Sequence, residues 1–228
     1  VSADYQNAVL ARINFYRRYA GVPNQISFLE SYNAKAQAAA LMMARNNALS
    51  HSPPTSWYCY TSLGAQGASS SNLALGVYGW VAIDLYIKDP GDGNGAAGHR
   101  RWIFYPQTQN MGSGDIPPQD GFLPANALVV FDTHYSDARP PTRDPFVAWP
   151  PAGYIPYNLI YPRWSFSYAA ANFDNASVSM QSQGQSIPVI QESVHIGYGE
   201  NTLVWIPEGL DSWSTWPRPA SDRPYHVI

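Results

Sequence analysis

The stretch Ala97-Gly98-His99-Arg100-Arg101-Trp102 places a histidine behind a glycine and ahead of two arginines and an indole. Working outward, Ser71-Asn72-Leu73-Ala74 and Leu49-Ser50-His51-Ser52 lie upstream, and Ile13-Asn14-Phe15-Tyr16-Arg17 lies near the start. Met111-Gly112-Ser113-Gly114 follows downstream. The segments around these motifs are helical in pattern at first. Val9, Ile13, Tyr16 and Ala20 recur at helical spacing, and Gly21 and Pro23 stop that helix. Ser27 and Glu30 read as a capping box opening a second helix, with Leu29, Tyr32, Ala36, Ala40 and Met43 as its apolar stripe. Residues 77–88 read as a third helix, against the preference of Gly79 and the β-branched residues.

From about residue 126 the apolar period becomes two. Ala127–Asp132 reads as a buried strand. Trp164, Phe166 and Tyr168 alternate with serines, Val194, Ile196 and Tyr198 with His195 and Gly197, and Leu203 alternates to Trp205. Turn residues separate these runs, the pattern of a small antiparallel β unit. Tyr225–Ile228 reads as a strand that either closes this unit or runs on into a longer protein. Between the two styles, Arg139–Pro162 is rich in proline, which fixes φ and cannot donate to a ladder.

Composition narrows the function. Charged residues are 13% of the chain, and the net charge is −3 with Lys35 and Lys88 as the only lysines, so nothing here attracts nucleic acid. A hydrophobic fraction of 45% argues against disorder. No stretch reaches the ~18 apolar residues of a membrane span. The lone Cys59 excludes an intramolecular disulfide framework and a Cys-rich zinc site; flanked by two tyrosines, it reads as a packed thiol. Twenty prolines against 13 Lys plus Arg, with 14% aromatic residues, suit an extracellular protein. No leader is visible at Val1, so that reading requires a signal peptide already removed.

The order of these motifs resembles the CAP superfamily, which groups cysteine-rich secretory proteins, antigen 5 and pathogenesis-related proteins. The likeness covers roughly residues 5–132, and the Gly98–Trp102 wording with the β extension is similar to extracellular bacterial members. The resemblance implies an α-β-α sandwich whose cleft holds two histidines and two acidic residues. His51 and His99 take the histidine positions. Ser71 falls where the family has an acid, next to Asn72. The second acid falls on Asp89 if Tyr86 replaces the family's tryptophan, with Asp84 as the alternative register. The implied ligand cleft is His51, Ser71, Asn72, Asp89, His99 and Arg100.

His51, His99 and Asp89 are the minimum set for a divalent cation such as zinc, because catalytic zinc sites use three protein ligands. Histidine titrates near neutrality, so binding through such a cleft is expected to vary with pH. For catalysis the candidates are His51, His99, Asp89 and Ser71, the serine as a nucleophile beside an imidazole or as a small polar replacement for a lost acid. The chain has no G-x-S-x-G elbow, H-E-x-x-H motif, P-loop or G-x-G-x-x-G. Asp92-Gly93-Asn94-Gly95 opens like a calcium loop but lacks the later ligands. Arg100 and Arg101 fit ion pairing and capping, or an anionic ligand. Trp213 and Trp216 lie in a loop-like stretch and are the candidate glycan platform. Glu192, Glu200 and Glu208 are too separated to suggest a glycosidase pair.

The expected fold is α+β. Residues 1–138 form the CAP-like sandwich, 139–160 a proline-rich connector and 161–228 a small β-sandwich-like unit. The expected function is a secreted, non-enzymatic binding protein engaging a lipid, peptide or cell-envelope component. Two alternatives stand beside it: a metal-dependent hydrolase using the two histidines, and glycan binding or adhesion through the C-terminal β unit.

Overall fold

A computed structural model describes residues 2–119 and 121–228. The chain divides into two compact units. The first takes residues up to Arg18, Pro23–Tyr86 and Pro106–Pro140; the second takes Tyr19–Val22, Ile87–Tyr105 and Pro141–Ile228.

The first unit packs helices on a sheet. Its helices are α1 (Ala3–Ala20), α2 (Glu30–Asn46), α3 (Ser62–Ser69) and most of α4 (Trp80–Lys88). Its strands are β1 (Ser27–Phe28), β2 (Ser71–Leu75), β3 (Asn110–Ile116) and β4 (Ala125–Val129), in the order β1-β3-β4-β2. Only the β1–β3 pair is parallel. The small-residue stripe on α2 has a clear use. A Cβ on Gly114 would lie 2.1 Å from the Gln37 amide nitrogen, and one on Gly112 2.4 Å from the Tyr32 carbonyl carbon. The α2 and β3 backbones are therefore in direct contact, which only glycine allows. On its other flank α2 meets α3, where a Gly67 Cβ would fall 2.2 Å from the Lys35 carbonyl oxygen. Ala36, Ala39, Ala40, Met42 and Met43 complete this core with Leu73, Ala127 and Val129 in the sheet, all buried.

Two local expectations change. Ser27 does not cap α2. Its backbone belongs to β1, where the Ser27 amide donates to the Gln109 carbonyl and the Leu29 amide to the Met111 carbonyl (both 3.1 Å), so α2 starts at Glu30 behind Leu29. The third helix starts at Trp80 rather than 77. Gly79 has φ +66, and its amide donates to Asp115 Oδ1 at 2.6 Å instead of entering a helix.

The second unit contains α5 (Gly98–Ile103) and seven strands. β5 (Val147–Trp149), β6 (Trp164–Ser167), β10 (Thr202–Pro207) and β9 (Val189–Gln191) form one antiparallel sheet in the order β5-β6-β10-β9. β11 (His226–Val227), β7 (Met180–Ser182) and β8 (Gln185–Ile187) form another, so the C-terminal strand does close a sheet. Trp164 and Trp205 face each other across β6 and β10 with ring centroids 6.2 Å apart, and Trp216 and Tyr225 pack on Trp164. Each such ring pair adds roughly 0.5–1.5 kcal/mol beyond its buried area. Val194, Ile196 and Tyr198 form no strand despite their alternation. Gly197 and Gly199 there have φ +90 and +78, and Ile196 is 77% exposed. His195 is exposed.

Candidate functional site

Asp89 follows the end of α4 with φ +52, and this left-handed turn sends the chain back toward α5. Its side chain is fully buried and organises that helix. Oδ2 accepts the backbone amides of His99 (3.0 Å) and Arg100 (3.3 Å), satisfying orphan donors of the first turn. Oδ1 lies 2.7 Å from His99 Nδ1, so that nitrogen donates to the carboxylate. The His99 side chain is 24% exposed, so solvent reaches a ring whose orientation is fixed from behind.

Three arginines build the bed for this pair. Arg163, just before β6, donates from Nη1 to the Asp89 carbonyl and from Nη2 to the Gly91 carbonyl (3.1 Å). It also pairs with Glu192 Oε1 at 3.1 Å. Arg100 donates to the Ile87 carbonyl (2.6 Å), the Lys88 carbonyl (3.3 Å) and Ser165 Oγ (3.0 Å). Arg101 donates to the carbonyls of Ala96 (3.1 Å), His195 (3.0 Å) and Glu200 (2.9 Å). Burial draws the Arg101 guanidinium down to about 10, while Tyr198 and Asp89 pull the other way. The Tyr198 ring sits against Gly98, where a Cβ would be 2.9 Å from Cδ1. The capping role foreseen for the arginines is the one Arg100 plays: it is fully buried on the last carbonyls of α4 and offers no face to a ligand.

The other sequence-derived candidates lie in the first unit. His51 is exposed, with Nδ1 2.9 Å from the Ala68 carbonyl at the end of α3. Ser71 opens β2 buried, and its hydroxyl has no hydrogen-bond partner among the described residues, so it forms no nucleophile–base pair. Asn72 is buried, and its carbonyl accepts from Tyr86 Oη at 3.1 Å. Tyr86 also donates to Asn126 Oδ1 at 2.8 Å, and burial followed by the nearby Asp115 pushes its hydroxyl well up. Asp84, the alternative acid, is taken by Arg12 (2.6 Å) and Tyr16 Oη (2.8 Å). Cys59 is exposed rather than packed, at a turn with φ +60.

The donors do not fit a zinc site. Among the described residues no group of three or more His, Cys, Asp or Glu is arranged to hold a metal ion. Asp89 is fully buried with both oxygens committed to His99 and the α5 amides, so it serves to orient the ring. The glycan platform also changes. Trp213 is 63% exposed, but Trp216 is 5% exposed and part of the aromatic cluster. Sequence reasoning missed the roles of Arg163 and Glu192, which carry no motif; the signal present was an arginine at the head of an apolar alternating run.

Residues 10–129, more than half of the chain, match the CAP family, the cysteine-rich secretory protein family. Among solved structures the chain is similar to venom allergen-like protein 4 of Schistosoma mansoni, at 13% identity and a TM-score of 0.36, over 63% of this chain and 97% of that one. No curated protein matches it. With its Ile13–Arg17, His51, Ser71–Ala74, His99 and Met111–Gly114 motifs all inside the matched span, the chain belongs to the CAP family of cysteine-rich secretory proteins.

Proposed function

We propose that this CAP protein is a secreted binding protein without enzymatic turnover, and that His99 makes the polar contact to its ligand. Members of the family are typically secreted and bind ligands. Among the described residues no helix is long and apolar enough to cross a membrane. The observation carrying the reading is the Asp89–His99 pair: a fully buried carboxylate fixing the ring of a histidine that solvent reaches. Such a fixed imidazole loses little freedom when it meets a ligand. Against a serine nucleophile stands the Ser71 hydroxyl, which has no hydrogen-bond partner among the described residues. The ligand class is a lipid, a peptide or a cell-envelope component.

The test is equilibrium binding of the full chain to a fatty acid, a set of peptides and peptidoglycan fragments, alongside His99→Ala, Asp89→Ala and His51→Ala. Binding that falls at least tenfold in His99→Ala, with the fold retained by circular dichroism, supports the reading. Asp89→Ala should weaken binding less and lower stability by about 1 kcal/mol through the lost α5 cap. Turnover of any of these compounds that disappears in His99→Ala overturns the non-enzymatic reading.

A further inference from the structure

The second unit holds a cavity of about 750 Å³ that neither the Asp89–His99 pair nor any motif uses. Its size falls within the ~300–1,000 Å³ of small-molecule sites. Two proline-bearing segments wall it, Pro150–Tyr157 and Trp216–Tyr225, and prolines with φ already fixed make those walls rigid before any ligand arrives.

The polar groups around it state what it would recognise. Arg218 lies over the Tyr157 ring and Arg223 over the Tyr225 ring, each with its guanidinium carbon 5.7 Å from the centroid. Arg223 Nε donates to Ser182 Oγ at 3.0 Å, but neither arginine forms an ion pair among the described residues. Two planar forks near aromatic rings, neither paired with an acid among the described residues, are suited to a carboxylate. Trp164 and Trp216 add aromatic surface to the lining. Asp222, also in the lining, is exposed and can accept hydrogen bonds from hydroxyls.

We propose that this cavity binds a carboxylate-bearing oligosaccharide. Arg218 and Arg223 take the carboxylate, and Asp222 accepts from sugar hydroxyls. A proline-rich peptide suits the aromatic walls but not the rest, because its prolines bring neither a negative charge for the arginines nor N–H donors for Asp222. The proposal is independent of the Asp89–His99 reading.

The full chain is titrated by calorimetry with trigalacturonate and 3′-sialyllactose, each beside a neutral counterpart, maltotriose or lactose, and with a decaproline peptide. At least one acidic sugar should bind tenfold or more tightly than its counterpart and weaken as salt is raised. The double variant Arg218→Gln, Arg223→Gln, on exposed side chains, should lose that preference with an unchanged melting temperature. Trp213→Ala, outside the cavity lining, should change nothing. The proposal is overturned if no acidic sugar binds, if the neutral sugars bind equally well, if the arginine variant keeps the preference, or if decaproline binds in their place.

Discussion

In the first unit Gly112 and Gly114 let α2 rest on β3 backbone to backbone, with Ala36, Ala39 and Ala40 filling what little space is left. In the second, irregular segments leave carbonyls at Asp89, Gly91, Ile87, Ala96, His195 and Glu200, and Arg100, Arg101 and Arg163 reach out to satisfy them. The two solve one problem differently. Buried backbone groups must be hydrogen-bonded. Regular elements do this internally and can then pack closely. Loop-rich chain cannot, so side chains with several donors take over. The difference bears on function, because His99 lies in the part organised by guanidinium groups and a single carboxylate.

The sharpest way to break this contrast is a methyl group in the first unit. Gly114→Ala sets a Cβ against the Gln37 and Ala36 backbone, and backbone within a helix and a strand cannot move aside as a flexible side chain does. Destabilisation of about 4 kcal/mol or more is expected, at the upper end for point substitutions. Gly93→Ala, which meets nothing within 4 Å, should stay within about 0.5 kcal/mol. Urea unfolding of the two variants measures both. A tolerated Gly114→Ala would mean that α2 and β3 are not in backbone contact in solution.

The matching change in the second unit is Arg163→Met, which keeps bulk and removes the donors. It leaves the Asp89 and Gly91 carbonyls short of donors and Glu192 without its partner. About 3 kcal/mol is expected, because breaking a buried pair from one side strands the groups left behind. Loss of the support under Asp89 should also disturb the ring it orients, seen as a shift of the His99 imidazole resonances. Unfolding curves unchanged from the parent would show that the guanidinium bed is decoration rather than support.

What could be read from residues alone follows the same divide. The helical period of α1, its stop at Gly21 and the glycines after Met111 were legible because the first unit obeys local rules. Ser27 was misread where a long-range partner, β3, claimed the backbone that a capping box would have used. α3 was invisible, since two glycines argue against a helix that exists because they fit beneath α2. In the second unit the alternation of Val194 to Tyr198 misled, as Arg101 rather than a neighbouring strand takes the His195 carbonyl. Asp89 was reached only through the family resemblance, which sets an acid three residues after Tyr86, and its hydrogen bond to His99 ten residues on was not foreseen. Arg163 sits 74 residues from the carbonyl it supports, with no pattern joining them.

The smallest expected effect tests whether the first unit also relies on a side chain where its backbone runs irregular. Asp132 follows β4, and its Oδ2 accepts the Gln109 amide at 2.9 Å and the Asn110 amide at 2.8 Å, with His134 Nδ1 at 3.0 Å. Burial pushes the Asp132 carboxyl up, but those two amides and then His134 outweigh it and hold it below the usual carboxylate range. A carboxyl depressed by folding contributes stability above its unfolded value of about 3.9, and loses it as pH falls through the lower folded value. Asp132→Asn should therefore cost about 1 kcal/mol near pH 6, and the gap to the parent should narrow as the pH falls below 4. Melting temperatures of both proteins from pH 6 downward give the comparison. A gap that stays constant with pH would assign the loss to shape alone, and Asp132 would not be a charged counterpart to the arginines of the second unit.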